Sequence, residues 1–210
     1  MGRDKALLPC RGATLAGHLA SLVARAAGSA ALVGSPDLYA RLGFPVLADL
    51  YPGQGPLGGV LTALAASPAD LNLVVACDMP SLAVRFLEGL LAAAEHSRAD
   101  CLVPLSRKSG TGTSVPGTRE VAGHPRSGSR GQRCLSSDFQ VEPLCAVYRA
   151  SARPRLERLF LSGARAITGA LRSLGTEYHE IGEAEWFENL NTPGQWEAHL
   201  GLTGASWNDD

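Results

Sequence analysis

The chain has 210 residues, of which 45% are hydrophobic, and its formal net charge at pH 7 is −1. This length is sufficient for one domain with a substantial core. A nearly neutral charge gives no general attraction to nucleic acid, and no apolar run approaches the roughly 20 residues that cross a bilayer. No export signal is recognisable. The cysteines show neither metal-binding nor disulfide-scaffold spacing. We therefore expect a cytoplasmic protein with no nucleic acid or membrane partner.

Helical and strand-like segments alternate along the first half of the chain. Apolar residues at helical spacing predict three helices, at 14–27, 57–66 and 84–95. Continuous apolar runs predict three strands, at 30–33, 71–76 and 101–104. Such alternation is typical of right-handed βαβ units, which build an α/β fold with a mostly parallel sheet between helices. In such folds ligands bind at the carboxyl ends of the strands.

A segment rich in Gly, Ser, Thr and Arg, at 106–137, interrupts this alternation. It has few aliphatic residues and cannot bury enough apolar surface to offset its chain entropy. We expect a disordered insert within a single domain that spans 1–210. Its cations could meet phosphates or RNA, but no aromatic residues interleave with them, so a solvated basic loop is the simpler interpretation.

Regular structure is predicted again after the insert. The sequence indicates a strand at 141–148, helices at 156–161 and 167–174, and a last strand at 178–181. Thr192-Pro193 has the pattern of a capping residue followed by proline at the first helical position, which predicts a terminal helix.

Asp78, in the stretch VVACDMP, directly follows the predicted strand at 71–76. Pro80 stops continuation of the strand pairing, so the carboxylate should project above the sheet edge. A carboxylate at that edge is well placed to hold Mg²⁺ against the phosphates of a nucleotide. The alternative is an aspartate that only caps the following helix.

Two further loops carry candidate ligand groups. In ADLYPGQGPLGGV, Gly55 and the neighbouring glycines allow the backbone to approach a flat ligand, and Leu57 begins a helix whose free N–H groups favour anions. In MGRDKALL, Lys5 offers a point charge for a triphosphate. Each signal alone is weak, because Gly-Pro-rich segments are commonly just turns and lone cations are commonly solvated.

Taken together and in this order, the motifs are more specific. The stretches MGRDKALL, DLYPGQGPLGG, CDMP, PLCAVYR and FENLNTP resemble those of the molybdenum cofactor guanylyltransferases, the MobA family, over nearly the whole chain apart from the insert. The resemblance implies a Rossmann-like three-layer nucleotidyltransferase fold. It also implies transfer of GMP from Mg-GTP to the phosphate of molybdopterin, which forms molybdopterin guanine dinucleotide and releases pyrophosphate.

The resemblance assigns roles to individual residues. Lys5 matches the family's phosphate-binding lysine, and Asp78 matches the acid that holds Mg²⁺ near the α-phosphate; we expect these two to be the catalytic residues. Asp49 matches the acid on the guanine side. A carboxylate there can accept from both N1–H and the 2-amino group of guanine, a pair of donors that adenine lacks. The remaining expected nucleotide-binding residues are Gly2, Gly55, Pro56 and Leu57.

A second set of residues matches the acceptor side of the family's site. Asn189 and Asn191 in ENLNTP match asparagines associated with molybdopterin, and Arg165 in SGARAI is a candidate partner for its phosphate or pterin. Asn191 could instead assist the metal, since an amide oxygen is a suitable ligand for a hard cation. The resemblance also implies molybdoenzyme maturation proteins as candidate partners, for a monomer or weak oligomer.

The chain departs from the family pattern at its beginning. Met1-Gly2 coincide with the end of a motif in which family members have a strand followed by a glycine loop around the phosphates. We therefore expect the first strand of the sheet to be missing and the chain as written to bind GTP poorly. Two alternatives stay open: a related nucleotidyltransferase that uses CTP or a sugar phosphate, and a non-catalytic module that binds molybdopterin.

Overall fold

The computed structural model describes residues 4–107, 139–181, 186 and 195–196. The helices in this part of the chain are α1 (Leu15–Ala27), α2 (Pro36–Tyr39), α3 (Pro56–Ala66), α4 (Val84–His96), α5 (Arg153–Leu161) and α6 (Ile167–Leu171). The strands are β1 (Pro9–Cys10), β2 (Ala13–Thr14), β3 (Leu32–Gly34), β4 (Val46–Ala48), β5 (Leu71–Val75), β6 (Cys101–Arg107), β7 (Phe139–Val141), β8 (Cys145–Arg149) and β9 (Thr176–Glu180). None of the described helices is long and apolar enough to cross a membrane.

The three helices predicted in the first half form within one residue of their predicted bounds, as α1, α3 and α4. Their ends follow from local chemistry. The Thr14 side chain accepts a hydrogen bond from the Gly17 N–H at the start of α1, and Gly28 ends that helix in the left-handed conformation. Pro56 occupies the first turn of α3, where its missing N–H costs nothing.

The main sheet has five strands. β8 lies between β5 and β6 and pairs antiparallel with both, so β5 and β6 run in the same direction, and β9 pairs parallel with β6. The predicted Rossmann-like α/β fold is therefore confirmed. The single strand predicted at 141–148 divides into two antiparallel strands, β7 and β8, because Glu142 to Leu144 form the turn between them.

Two layers of helices cover this sheet. On one face α1 and α4 pack against Leu102, Cys145 and Val147, and on the other α3, α5 and α6 pack against Val103, Ala146 and Tyr148. Successive residues of β8 thus enter opposite cores, as the two-residue period of a strand requires. The three-layer arrangement predicted from the sequence is the one observed.

A smaller sheet lies apart from the main one. β3 and β4 pair parallel, with Leu32 opposite Val46, and neither pairs with another strand in the described part of the chain. β4 was not predicted, because Val46–Ala48 is too short to show a periodic pattern.

Three expectations need correction or lie beyond the described residues. The disordered insert was predicted at 106–137, but Ser106 and Arg107 pair with β7 as part of β6, and Ser106 is buried. Residues 108–137 and the start of the terminal helix at Thr192-Pro193 lie outside the described residues. β5 was predicted to be buried on both faces, but Leu71–Val75 is only half-buried because much of it lines a cavity of about 420 Å³.

Candidate active site

Asp78 lies just beyond β5, between exposed Cys77 and buried Met79, as the CDMP motif predicted. Its Oδ1 atom is buried and has no hydrogen-bond partner among the described residues. Burial raises the pKa of the Asp78 carboxyl, while the positive charge of Lys5 and a backbone hydrogen bond act in the opposite direction. A buried carboxylate oxygen without a partner is costly, and such atoms commonly mark an ion or ligand site.

Lys5 belongs to a short 3-10 helix, Lys5–Leu7, that Asp4 caps. The Ala6 N–H donates to Asp4 Oδ1 at 3.0 Å, and the hydroxyl of Tyr39 donates to Asp4 Oδ2. These contacts hold the turn that carries Lys5, whose charge acts on Asp78. The structure therefore brings the two predicted catalytic residues together.

Glu142 is a carboxylate near Asp78 that the sequence analysis missed. It is 8% exposed, and one of its oxygens, Oε1, accepts from the side-chain amide of Gln140. Burial raises the pKa of Glu142, and the negative charge of Asp78 raises it further. Its position directly before the PLCAVYR motif was the available signal, but the strand-like run around it concealed an acid at a turn.

Cys145 lies on the same side of the sheet and is fully buried. Burial raises the pKa of its thiol strongly, and the charges of Glu142 and Asp78 add to this effect. The thiol is therefore protonated at neutral pH and is not a candidate nucleophile.

Asp49 has a structural role in the loop between β4 and α3. Its Oδ1 accepts from the Tyr51 N–H at 2.9 Å and lies 3.1 Å from the Thr62 hydroxyl oxygen, which also accepts from the Leu50 N–H. Oδ2 receives no hydrogen bond from the described part of the chain. Asp49 thus shapes its loop through Oδ1.

The sequence predicted free N–H groups for an anion at the start of α3, but the Leu57 N–H is already hydrogen-bonded within the protein. The Leu57 N–H donates to the Arg165 carbonyl at 3.1 Å, and the Leu57 side chain is fully buried. Gly55, with φ of 83°, lies so close to the same carbonyl that a Cβ would be 3.2 Å from it. Leu57 therefore closes the loop, and its N–H is not available to a phosphate. Gly55 and Pro56 remain exposed.

Arg165 joins the loop that contains Gln54 to the end of α5. Its Nε donates to Gln54 Oε1 at 2.8 Å, Nη1 donates to the carbonyls of Phe160 and Ala164, and the guanidinium lies 4.3 Å from the Phe160 ring centroid. Nη2 has no hydrogen bond to the described residues, and the side chain is exposed. Gly2, Asn189 and Asn191, also expected at the site, lie outside the described residues.

The residues present fit a bound Mg²⁺. Magnesium is commonly held by one or two carboxylates together with substrate phosphates and water, so a complete protein cage is not required. Asp78 supplies a buried oxygen to which no described residue donates a hydrogen bond, and Glu142 adds a second carboxylate whose pKa the Asp78 charge affects. The described residues contain no group of three His, Cys, Asp or Glu side chains placed to hold a metal, so any such site depends on substrate oxygens.

These features define a class of protein. A Rossmann-like sheet carries an acid shortly after a strand, the charge of a lysine acts on that acid, and a glycine-rich loop precedes a helix. That combination is typical of α/β enzymes that bind nucleotides. The chain belongs to the MobA-like NTP transferase domain family, whose model matches residues 1–179.

Individual relatives agree with this assignment. The chain is 32% identical over 203 residues to the molybdenum cofactor guanylyltransferase of Xanthomonas euvesicatoria, covering 93% of this chain and 85% of that protein. Among solved structures, molybdopterin-guanine dinucleotide biosynthesis protein A from Archaeoglobus fulgidus is 23% identical with a TM-score of 0.69, covering 97% of this chain and 92% of the other. The 2-C-methyl-D-erythritol 4-phosphate cytidylyltransferase of Thermus thermophilus shares the fold, with 20% identity, a TM-score of 0.63 and coverage of 96% and 94%.

Proposed function

We propose that this protein transfers GMP from GTP to molybdopterin in the cytoplasm, with Mg²⁺, to form molybdopterin guanine dinucleotide and pyrophosphate. The observation that carries the proposal is the buried Oδ1 of Asp78, which has no hydrogen-bond partner among the described residues, together with the charge of Lys5 that acts on this carboxyl. The name of the Xanthomonas relative supports the choice of donor and acceptor.

Asp78 would hold Mg²⁺, with Glu142 as a second negative group nearby. When bound, the cation neutralises charge on the transferring phosphoryl group and on the leaving pyrophosphate. Lys5 would add a second positive charge, from a turn that the Asp4 side chain caps. Fixed charges in a partly buried site stabilise the transition state more than the same charges in water do.

The chemistry is an in-line displacement that needs no protein nucleophile. An oxygen of the molybdopterin phosphate forms a bond to the α-phosphorus of GTP, and the bond from that phosphorus to the α,β-bridging oxygen breaks. Pyrophosphate leaves with the electron pair. The buried, protonated state of Cys145 agrees with direct transfer, and positioning and charge neutralisation account for catalysis of this type.

Base selection is assigned to Asp49. Its Oδ1 is engaged in the loop, and its Oδ2 can accept from N1–H or the 2-amino group of guanine. Because the half-buried carboxylate cannot make this contact with adenine, a bound ATP would leave the oxygen without its partner.

The acceptor side is assigned to Arg165, Asn189 and Asn191. Arg165 is exposed at the end of the nucleotide loop, and its Nη2 can donate to the molybdopterin phosphate while Nε and Nη1 keep their internal contacts. A planar guanidinium that the protein already orients loses little entropy on binding.

Nucleotide-dependent pyrophosphate release tests the proposal. The assay contains Mg²⁺ and molybdopterin with GTP, CTP or ATP. We expect release that requires both GTP and molybdopterin. A preference for CTP, or no release with any nucleotide, would contradict the proposal.

A further inference from the structure

Tyr39 is a polar residue near the candidate active site that belongs neither to the nucleotide loop nor to the acceptor side. It is the last residue of α2 and is half-buried. Tyr39, Asp4, Lys5 and Cys77 line the same cavity of about 420 Å³. Because Cys77 directly precedes Asp78, Tyr39 extends from the smaller sheet toward the edge that carries the predicted catalytic residues.

The Tyr39 hydroxyl donates a hydrogen bond to Asp4 Oδ2. Burial raises the pKa of Tyr39 and the hydrogen bond to Asp4 raises it further, so the hydroxyl stays protonated at neutral pH and remains a donor. A hydrogen bond to an ionised acceptor is stronger than one between neutral groups. The two residues are 35 positions apart, so the bond is a tertiary contact and not part of a local turn.

The end of β3 fixes the position of the Tyr39 ring. A Cβ built on Gly34, the last residue of β3, would lie 2.5 Å from Cε2 of this ring, so only a glycine leaves the ring its place. The Tyr39 N–H donates to the Ser35 carbonyl at 3.1 Å, which fixes the backbone that carries the ring. The fold therefore sets the direction of the hydroxyl before any ligand binds.

Asp4 connects this hydroxyl to the turn that contains Lys5. Its other oxygen, Oδ1, accepts from the Ala6 N–H at 3.0 Å, and its carbonyl accepts from the Leu7 N–H at 3.1 Å. Asp4 is exposed, and one hydrogen bond leaves an exposed side chain much of its rotamer freedom. The second bond, from Tyr39, restricts the Asp4 side chain and with it the backbone of the Lys5 turn.

We propose that Tyr39 is a positioning residue that holds the Asp4 side chain and thereby fixes the turn from which Lys5 reaches the phosphates of the nucleotide. The inference rests on the role proposed above for Lys5. A lysine ammonium is a point charge on a flexible stem, so its placement depends on how well its backbone is fixed. A charge that is placed before the substrate binds needs no reorganisation during the reaction.

Kinetics of a variant that removes only the hydroxyl test the proposal. Tyr39→Phe should lower kcat/KM for GTP in pyrophosphate release about tenfold, which corresponds to roughly 1.4 kcal/mol. The matched control, Tyr178→Phe, changes a β9 residue that packs against the core of α3, α5 and α6, and it should leave kcat/KM unchanged. In a chain that carries Lys5→Ala, Tyr39→Phe should have no further effect, because Tyr39 acts through Lys5. An equal fall in both backgrounds would indicate a general structural defect and would overturn the proposal.

A measurement without nucleotide separates this inference from the proposed function. Lys5 and Lys108 are the only lysines in the sequence, so reductive ¹³C-methylation labels these two side chains and the amino terminus, and Lys108→Arg and Lys5→Ala assign the NMR signals. In Tyr39→Phe the Lys5 signal should narrow and shift toward that of an unstructured lysine, whereas in Tyr178→Phe it should match the parent. An unchanged Lys5 signal in Tyr39→Phe would overturn the proposal. A changed signal in a protein that releases no pyrophosphate would contradict the proposed function but support the positioning of Lys5 by Tyr39.

Discussion

Replacing Asp78 by Asn should change activity and stability in opposite directions. The substitution keeps the shape of the side chain but removes the negative charge beside Lys5. Burial raises the pKa of this carboxyl because the folded protein disfavours its charged form. The charge is therefore kept at a cost to the fold, as is common for groups that act on a ligand.

The magnitudes follow from the environment of the carboxylate. Loss of one fixed electrostatic group at a phosphoryl-transfer site costs about 10²–10³ in rate, or roughly 2.7–4 kcal/mol. Removal of this charge, one oxygen of which is buried without a partner among the described residues, should stabilise the fold by about 1 kcal/mol, which corresponds to a rise in Tm of roughly 2–4 °C. An aspartate that only capped the following helix would show the reverse, with lower stability and nearly normal activity.

Two measurements on the same protein distinguish these cases. Pyrophosphate release from GTP with molybdopterin and Mg²⁺ reports the rate, and differential scanning calorimetry without ligands reports Tm. Asp37→Asn, at an exposed acid in the first turn of α2, is the matched control for charge and should change neither quantity appreciably. Near-normal turnover in Asp78→Asn would refute the role of Asp78 in the mechanism.

Three further predictions concern the loops and pH. Asp49→Asn keeps an oxygen for the Tyr51 N–H, so calorimetry should show an unchanged Tm. The affinity for GTP should be weaker by about 1–3 kcal/mol, and the preference for GTP over ATP should be smaller. Unchanged selectivity would show that another residue recognises guanine. Gly58→Ala places a Cβ 2.9 Å from the Tyr51 Cβ and should lower stability to denaturant by about 1–3 kcal/mol, whereas Gly89→Ala should not; equal effects would contradict this close packing. Because burial raises the pKa of both Asp78 and Glu142, the rate of pyrophosphate release should fall at a higher pH than the ordinary carboxyl pKa of about 4 predicts. For the same reason, Asp78→Asn should gain stability relative to the parent as pH rises through the raised pKa of Asp78. A rate that does not change between neutral pH and pH 4 would contradict this reasoning.

The sequence predicted those parts of the fold that local periodicity specifies. α1, α3 and α4 have long apolar faces with clear ends, and strands β5 and β6 are apolar runs, so each was recognised. β4 was missed because three residues carry no period. The division of 141–148 into β7 and β8 was missed because a buried turn with apolar flanks has the same composition as a strand.

The candidate site was predictable to the extent that it lies at strand ends. Asp78 and Lys5 come together because one follows β5 and the other lies on a turn at the same edge, which the motif order indicated. The pairing of the Leu57 N–H with the Arg165 carbonyl was not predictable, because it joins residues over a hundred positions apart through tertiary packing. The position of Glu142 near Asp78 likewise depends on how β8 inserts between β5 and β6.

Identification of the product in a competition reaction tests the central claim most directly. The protein would be incubated with molybdopterin, Mg²⁺ and equal concentrations of GTP and CTP, and the pterin product would be analysed by mass spectrometry. If Asp49 recognises guanine as proposed, the main product should be molybdopterin that carries GMP. A product that carries mainly CMP, or unmodified molybdopterin alone, would contradict it.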